Sequence, residues 1–150
     1  MSALYGAPRR TGVKMQPSAI LESALYVTDL DAAEAFYADI LGLEVMTKAA
    51  GRHVFFRCGR GVLLLFDAEA TKEPPAPGAR LPVPPHGTVG QGHLCFAATA
   101  EEIDRWKRRL TEKGIAIEAE VEWPKGGLSI YFRDPSGNSL EFAEPKIWNF

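Results

Sequence analysis

The sequence predicts an α+β fold built from two tandem modules with the element order βαβββ, because the chain carries the same pattern twice. In each half, an alternating stretch rich in β-forming residues leads into a helix with apolar residues at helical spacing. Both helices end at a glycine, Gly42 or Gly114, the residue that most readily adopts the left-handed conformation of a helix end. Further along each half, a Phe-Arg pair precedes a glycine-containing turn and a last strand. At a length of 150 residues, the two modules predict one compact domain.

The first module covers residues 19–68. Its opening strand is predicted at 20–28, and Asp29 or Asp31 can cap the helix that follows, which runs to Leu41. Three short strands complete the module, at about 44–48, 53–57 and 62–67.

The second module covers residues 91–145 and repeats this order. Its opening strand is predicted at 93–98, and an amphipathic helix follows at 101–113. The last three strands are predicted at about 116–123, 128–133 and 139–143.

Three segments lie outside the modules. Residues 1–18 show no sustained periodicity and form an N-terminal extension that can be disordered. Residues 69–90 contain six prolines, and we interpret them as a linker between the modules and a lid over a site. The apolar tail, 146–150, can dock on the body of the protein or on a partner subunit.

Composition excludes several classes of function. A formal net charge of −2 and the lack of a basic stripe argue against nucleic-acid binding. No apolar stretch approaches the length of a membrane span, and the N-terminus lacks a secretory signal. Two cysteines, Cys58 and Cys95, do not make a disulfide framework. We therefore expect a soluble cytoplasmic protein whose partner is a small-molecule substrate.

Three polar side chains fall on strand faces that otherwise carry small or amphipathic residues. Alternation places Glu22 on the first strand of module one, and His93 and Glu141 on the first and last strands of module two. The opposite faces carry large apolar residues, such as Leu21, Leu25, Leu94, Phe96, Leu140 and Phe142. This pattern predicts sheets that pack helices on one face and line a cavity with the other.

The internal alignment of the modules suggests that the three polar residues share a metal site. In that alignment Glu22 matches His93, and Leu65 matches Glu141. Two carboxylates and an imidazole on a cavity wall are costly unless they are paired or bind a cation. Such ligands suit a divalent ion of Mn, Fe, Co, Ni, Zn or Mg. Taken singly, each residue also has a structural interpretation, as a strand histidine or an edge-strand carboxylate.

Several motifs resemble the vicinal oxygen chelate proteins, the superfamily of glyoxalases, bleomycin-resistance proteins and ring-cleaving dioxygenases. The segments that carry the resemblance run from Glu22 to Leu43, from Gly92 to Phe96 and from Tyr131 to Glu141. The likeness covers about residues 19–145. It implies that the two modules form a curved, cup-like mixed sheet, and that the protein is a homodimer.

The resemblance also implies a ligand set. The family's metal positions fall on Glu22, His93 and Glu141, whereas the position of a fourth ligand in glyoxalase I falls on Leu65. Extradiol dioxygenases use two histidines and one glutamate, so Glu22 in place of the first histidine counts against ring cleavage. A set of three ligands is closer to the fosfomycin-resistance transferases, although their first ligand is also a histidine.

Four further residues are candidates for binding substrate. Tyr26 and Trp123 can shape a pocket or pack in the core, and Cys95 is expected on the same face as His93. Arg133 can meet an anionic substrate or pair with Asp134 or another carboxylate.

The leading hypothesis is a metal-dependent, glyoxalase-like enzyme with lyase, isomerase or transferase chemistry. The ion would hold two neighbouring oxygens of a small substrate, and Glu141 or Glu22 would carry a proton. One alternative is a non-catalytic protein that binds a small molecule or an antibiotic in the same cup. Others are an extradiol-type dioxygenase and a structural member with an empty site.

Overall fold

The computed structural model describes residues 15–150. Most of the predicted N-terminal extension lies outside the described residues, and residues 15–21 are exposed and form no helix or strand. Among residues 15–150, no helix is long and apolar enough to cross a membrane.

Residues 15–150 form eight strands and three α-helices. The elements of the first module are β1 (Glu22–Val27), α1 (Leu30–Ala35), β2 (Glu44–Ala49), β3 (His53–Cys58), β4 (Gly61–Asp67) and α2 (Ala68–Thr71). Those of the second are β5 (His93–Ala97), α3 (Ala100–Glu112), β6 (Ala119–Glu122), β7 (Leu128–Arg133) and β8 (Ser139–Ala143). A π-helical turn, Phe36–Ile40, continues α1, and a 3₁₀ turn, Pro145–Trp148, follows β8.

The strands form two four-stranded mixed sheets of identical topology. The strand orders are β1-β4-β3-β2 and β5-β8-β7-β6, with the first pair parallel in each sheet and the others antiparallel. This arrangement confirms the predicted α+β fold of two βαβββ modules. Among the described residues, β1 and β5 each pair on one side only, so each sheet ends there in a short free-edge strand.

One hydrophobic core is shared by both modules. Leu25 and Leu65 of the first sheet and Phe132 and Leu140 of the second belong to it, all 4% exposed or less. Each sheet therefore turns one face toward the common core and the other away from it. Leu21, expected on the core face, is 72% exposed because it precedes the first strand.

A buried polar network joins the modules. The Tyr37 hydroxyl donates to Asp134 Oδ2 at 2.9 Å, and the Asn138 amide donates to the same oxygen at 2.9 Å. Asn138 Nδ2 also donates to the carbonyl of Tyr26 at 3.0 Å, and its Oδ1 accepts from Gly92 N at 2.7 Å. One side chain thus ties the end of β1 to the start of β5.

The structural register of the modules differs by one residue from the sequence alignment. Glu141 pairs with Cys95 on β5, and the corresponding position of the first sheet is Leu64, not Leu65. Leu65 is fully buried on the core face, and its equivalent Phe142 is buried on the core face of the other sheet. The register differs because the β7–β8 turn holds one residue more than the β3–β4 turn. The pairs that show this are Arg57 with Val62 and Arg133 with Ser139.

The proline-rich segment, residues 72–92, is termed the strap. It contains no helix or strand, whereas α2 forms just before it because Asp67 accepts hydrogen bonds from two amides of the first turn. Two contacts of His86 anchor the strap. His86 N donates to Thr71 O at 2.9 Å, and His86 Nδ1 lies 2.7 Å from the Tyr26 hydroxyl.

Candidate functional site

His93 and Glu141 meet on the outer face of the second sheet. They lie on the parallel neighbours β5 and β8, and His93 Nε2 is 3.3 Å from Glu141 Oε2. Glu141 is only 5% exposed, although its face is turned away from the core. The structure thus brings together two of the three predicted metal ligands.

The histidine is oriented as a metal ligand would be. His93 Nδ1 lies 3.1 Å from the carbonyl oxygen of Ser139, which can only accept, so Nδ1 carries a proton. Nε2 is then free either to bind a cation or to bind a second proton. Two lone pairs 3.3 Å apart repel each other, and a cation or a proton on Nε2 removes that repulsion. A backbone carbonyl on the second nitrogen is a common support for metal-bound histidine.

The carboxylate of Glu141 has an unfilled position. Its Oε1 is buried and makes no hydrogen bond within the described residues. A buried oxygen without a partner is costly, and a bound cation would relieve that cost. The donor types and the orphan oxygen therefore fit a divalent ion.

Together with burial, the charge of Glu141 raises the pKa of two neighbouring side chains. Partial burial raises the pKa of Cys95 to about 12, and the negative charge of Glu141 adds to the shift. Burial also raises the pKa of Tyr131 to about 12, and the neighbouring carboxylate of Glu141 contributes in the same direction. Both residues pair in register with Glu141, from β5 and β7.

Tyr131 was not singled out from the sequence. A signal existed, since Tyr131 lies on the strand before Glu141 with a parity that places it on the same face as Arg133. Only the strand register shows that it pairs directly with Glu141.

Glu22 does not join the pair within one chain. It begins β1, on the outer face of the first sheet, and borders a cavity of about 170 Å³ together with Cys58 and Cys95. In the part of the chain from 15 to 150, no three His, Cys, Asp or Glu side chains gather closely enough to hold a metal ion.

The other predicted substrate-binding residues have structural partners. Trp123 Nε1 donates to Ser129 Oγ at 2.8 Å. Arg133 makes a two-pronged ion pair with Glu118, with nitrogen–oxygen distances of 2.6 and 2.9 Å, and does not pair with Asp134.

The outer face of the first sheet is aromatic where the second is polar. Tyr26 lies there beside Phe66, and the strap places His86 against both rings, with centroids 5.9 and 4.6 Å away. His53 stacks on Phe55 with ring centroids 4.0 Å apart, and burial lowers the pKa of this histidine. The Tyr26 hydroxyl therefore contacts His86 of the strap and makes no hydrogen bond to His93 or Glu141.

The sequence also matches a protein-family model over most of its length. The model of the Glyoxalase/Bleomycin resistance protein/Dioxygenase superfamily matches residues 19–142. The chain belongs to this superfamily. The resemblance noted from the sequence is confirmed, and the shared two-module fold accounts for the repeated topology.

Individual members of the glyoxalase superfamily are similar over most of the chain. The crystal structure of a lactoylglutathione lyase from Agrobacterium tumefaciens has a TM-score of 0.85 and 51% identity, covering 91% of this chain and 100% of that one. Virulence protein STM3117 of Salmonella typhimurium is 30% identical over 124 residues, 80% of this chain and 79% of the relative. The glutathione transferase FosA of Serratia marcescens is 29% identical over 118 residues, 78% of this chain and 74% of the relative.

Proposed function

We propose that this chain is a metal-dependent, glyoxalase-like enzyme acting on a small substrate that offers two neighbouring oxygens. The observation that carries the proposal is the His93–Glu141 pair, with one imidazole nitrogen free and Glu141 Oε1 buried without a partner. A bound Mn, Fe, Co, Ni, Zn or Mg ion would supply Lewis-acid chemistry to the substrate oxygens.

Glu22 of a second copy of the chain would complete the ligand set. Glu22 is exposed on the free-edge strand β1, and His93 begins the free-edge strand β5. Ile20 and Leu21, just before β1, are 82% and 72% exposed, which suits a surface that a partner covers. A twofold axis that sets β1 of one copy against β5 of the other creates two equivalent sites.

The residues of the site would have different roles, because some are buried and fixed and one is exposed. Glu141 is held in a buried position on β8, and the Ser139 carbonyl fixes the ring of His93. Glu22 is exposed at its strand end, so it has the freedom to accept a proton from the substrate and return it. Cys95 and Tyr131 would line the wall on which the substrate rests.

The names of two relatives suggest the first substrates to test. Lactoylglutathione lyase and glutathione transferase both refer to glutathione. We propose a glutathione conjugate carrying neighbouring oxygens as the substrate class, with lactoylglutathione as the first compound in the assay. Leu64, at the position equivalent to Glu141, offers no fourth ligand. The proposed reaction is lyase, isomerase or transferase chemistry on a site with three protein ligands.

Mixing two inactive variants tests the shared site. Glu22→Ala and His93→Ala would each lose the metal, measured by elemental analysis after incubation with Mn, Ni, Zn or Fe(II). If the ligands come from two copies, a 1:1 mixture that has exchanged subunits regains about a quarter of the wild-type metal content, since half the dimers are mixed and each holds one complete site.

The controls separate this result from misfolding. A mixture of Glu22→Ala with Glu22→Ala,His93→Ala contains no complete site and should regain no metal. Recovery of no metal in the first mixture, despite proven subunit exchange, would exclude a site shared between copies. Full metal content in Glu141→Gln and His93→Ala would refute the metal centre itself.

A second function is favoured by one observation. The aromatic outer face of the first sheet, with Tyr26, Phe66 and His86, suits a protein that sequesters a flat small molecule without chemistry. Failure of the wild-type protein to bind any of the four ions would favour this function.

A further inference from the structure

The outer face of the first sheet carries three rows of side chains, which run across β1, β4 and β3. Strand pairing gives the rows, each in the order β1, β4, β3: Glu22, Val62 and Arg57; Ala24, Leu64 and Phe55; Tyr26, Phe66 and His53. Side chains on one face of a strand recur at every second residue, so the second row lies about 7 Å from the first and the third about 13 Å from it.

Charged side chains are confined to the first row. Arg57 Nε lies 3.7 Å from Glu44 Oε2 on β2, in the same row as Glu22. The second and third rows contain no carboxylate, ammonium or guanidinium group. Burial lowers the pKa of His53, so this ring is uncharged at neutral pH. Beyond the first row, the face therefore suits an uncharged group.

The second row leaves room for such a group. Ala24, between Glu22 and Tyr26 on the outer face of β1, is small and exposed. Tyr26 and Phe55 are half-buried, and both pack on Phe66, with ring centroids 6.2 and 5.2 Å away. A flat group that lies over Ala24 therefore meets aromatic rings on the neighbouring positions.

His86 closes the far end of the third row. Its ring stands edge-on to Phe66 with centroids 4.6 Å apart, and its Nδ1 lies 2.7 Å from the Tyr26 hydroxyl. Residues 81–85 and 87–90 of the strap are exposed, whereas His86 is half-buried. The strap therefore meets the aromatic face through this side chain.

We propose that the second and third rows bind an uncharged aryl group of the substrate, and that His86 forms the end of this subsite. The inference rests on the proposed function for one point, the position of the chelated oxygens beside Glu22. The aryl group is attached next to those oxygens and extends over Ala24 toward the aromatic row. The subsite itself is a property of the metal-free chain.

Binding of an aryl group is tested first in the metal-free protein, with styrene glycol, a phenyl ring on two neighbouring hydroxyls, as the probe. The chain contains three histidines, and His53→Gln and His86→Gln assign their ring C–H signals in the NMR spectrum. The probe should shift the signals of His53 and His86 more than that of His93. Propylene glycol, which has the two hydroxyls and no ring, should leave them unmoved. Shifts no larger than that of His93, or equal shifts with propylene glycol, would overturn the inference.

Two phenylalanine variants connect these signals to the face. Phe55→Leu removes a ring of the second row and should weaken styrene glycol binding about 5-fold, because contacts between aromatic rings contribute beyond their buried area. Phe150→Leu, at a position that is 93% exposed, is the matched control and should bind as the wild type does. Equal affinities in the three proteins would contradict the subsite. Signals that move with protein concentration but not with the probe would assign the face to a second copy of the chain instead.

His86→Ala tests the end of the subsite. It should improve binding of the biphenyl analogue of styrene glycol relative to styrene glycol itself, followed by the His53 signal. An unchanged ratio of the two affinities would show that His86 does not limit the length of the bound group.

Activity of the metal-loaded protein then tests the assignment to the substrate. Mandeloylglutathione, in which a phenyl ring replaces the methyl group of lactoylglutathione, should have the larger kcat/KM, and Phe55→Leu should reduce this preference. Equal kcat/KM values for the two conjugates would refute the assignment. If the wild type binds metal and the probe leaves His53 and His86 unmoved, this inference fails and the proposed function stands. If no metal binds or neither conjugate reacts, the proposed function fails and the histidine signals alone decide whether the subsite exists.

Discussion

Together with burial, the negative charge of Glu141 raises the pKa of the side chains around it, including the thiol of Cys95. Its thiol lies on the outer face of the second sheet, opposite Glu141 on the neighbouring strand. Burial is the largest cause of its raised pKa, and the carboxylate charge is the second. The thiol is therefore protonated and a poor nucleophile at neutral pH.

Glu141→Gln should accelerate alkylation of Cys95 in the metal-free protein. Removing the negative charge lowers the pKa of the thiol, so at about pH 9 the reactive thiolate fraction should rise several-fold. The measurement is the iodoacetamide rate by mass spectrometry, in a Cys58→Ala background for both proteins. A slower or equal rate in Glu141→Gln would show that the carboxylate charge does not act on Cys95.

At this same scale, the sequence placed His93, Glu141 and Cys95 on the outer face of the second sheet, as the structure does, but did not single out Tyr131. Strand alternation was enough for the first three, because each lies on a strand whose polarity pattern is clear. Tyr131 looks like one more aromatic residue of an apolar strand. Its role depends on which residue of β8 it faces, and strand pairing is not encoded in local pattern.

Individual elements were predicted well, and their relative register was not. The order and number of strands followed from alternation and glycine turns, and all eight were found. The alignment of Leu65 with Glu141 was wrong because both turns contain a glycine before an apolar strand, which hides the extra residue in the β7–β8 turn. A shift of one residue moves a side chain to the opposite face, so Leu65 lies in the core.

The turn between β6 and β7 limits where the C-terminal segment can lie. Gly127 has φ +105°, and a Cβ there would lie 2.4 Å from Ile147 Cγ2, in the 3₁₀ turn after β8. Glycine therefore allows the 3₁₀ turn to pack directly on the hairpin, next to Trp123. The tail, predicted to dock on the body of the protein or on a partner subunit, packs on the hairpin at Ile147, whereas Trp148 and Phe150 are exposed.

Gly127→Ala should destabilise the protein by about 2 kcal/mol, from overpacking and from a backbone conformation unsuited to alanine. Urea unfolding measures the change. Because removing the opposing methyl relieves the steric part, the loss should be smaller when Gly127→Ala is made in an Ile147→Ala background than in the wild type. Equal losses in both backgrounds would show that the two residues do not clash.

In the whole molecule, a few polar contacts fix the relative position of the two modules. Their other contacts are those of a shared apolar core, which are not directional. Asn138 is central, since it bonds Tyr26 O of the first module, Gly92 N of the second and the buried Asp134. It also fixes the start of β5, one residue before His93.

Asn138→Ala should destabilise the protein by about 3 kcal/mol, because it leaves buried backbone and carboxylate groups without partners. Ser136→Ala, in the same turn but at an exposed hydrogen bond, should cost less than about 1 kcal/mol. Denaturant unfolding, followed by both fluorescence and circular dichroism, measures the two variants. A loss in Asn138→Ala no larger than that in Ser136→Ala would contradict this role.

The position of Glu22 shows where prediction from one chain ends. The internal repeat placed Glu22 and His93 at equivalent positions, and the structure agrees, since each begins the free-edge strand of its sheet. Equivalence within a repeat does not mean proximity. Glu22 borders one cavity with Cys95, the register partner of Glu141, yet no three potential metal ligands gather within residues 15–150.

The free edges of β1 and β5 have a consequence for solubility. An unpaired strand edge offers backbone groups to any other strand, and proteins protect such edges with short strands and polar or charged side chains. Here the edges are six and five residues long, and each begins with a polar residue, Glu22 or His93. Two of the residues proposed to hold the metal, Glu22 and His93, therefore also protect the open edges from pairing with strands of other molecules. A variant that replaces both with apolar residues would be expected to form β-sheet aggregates as its concentration rises.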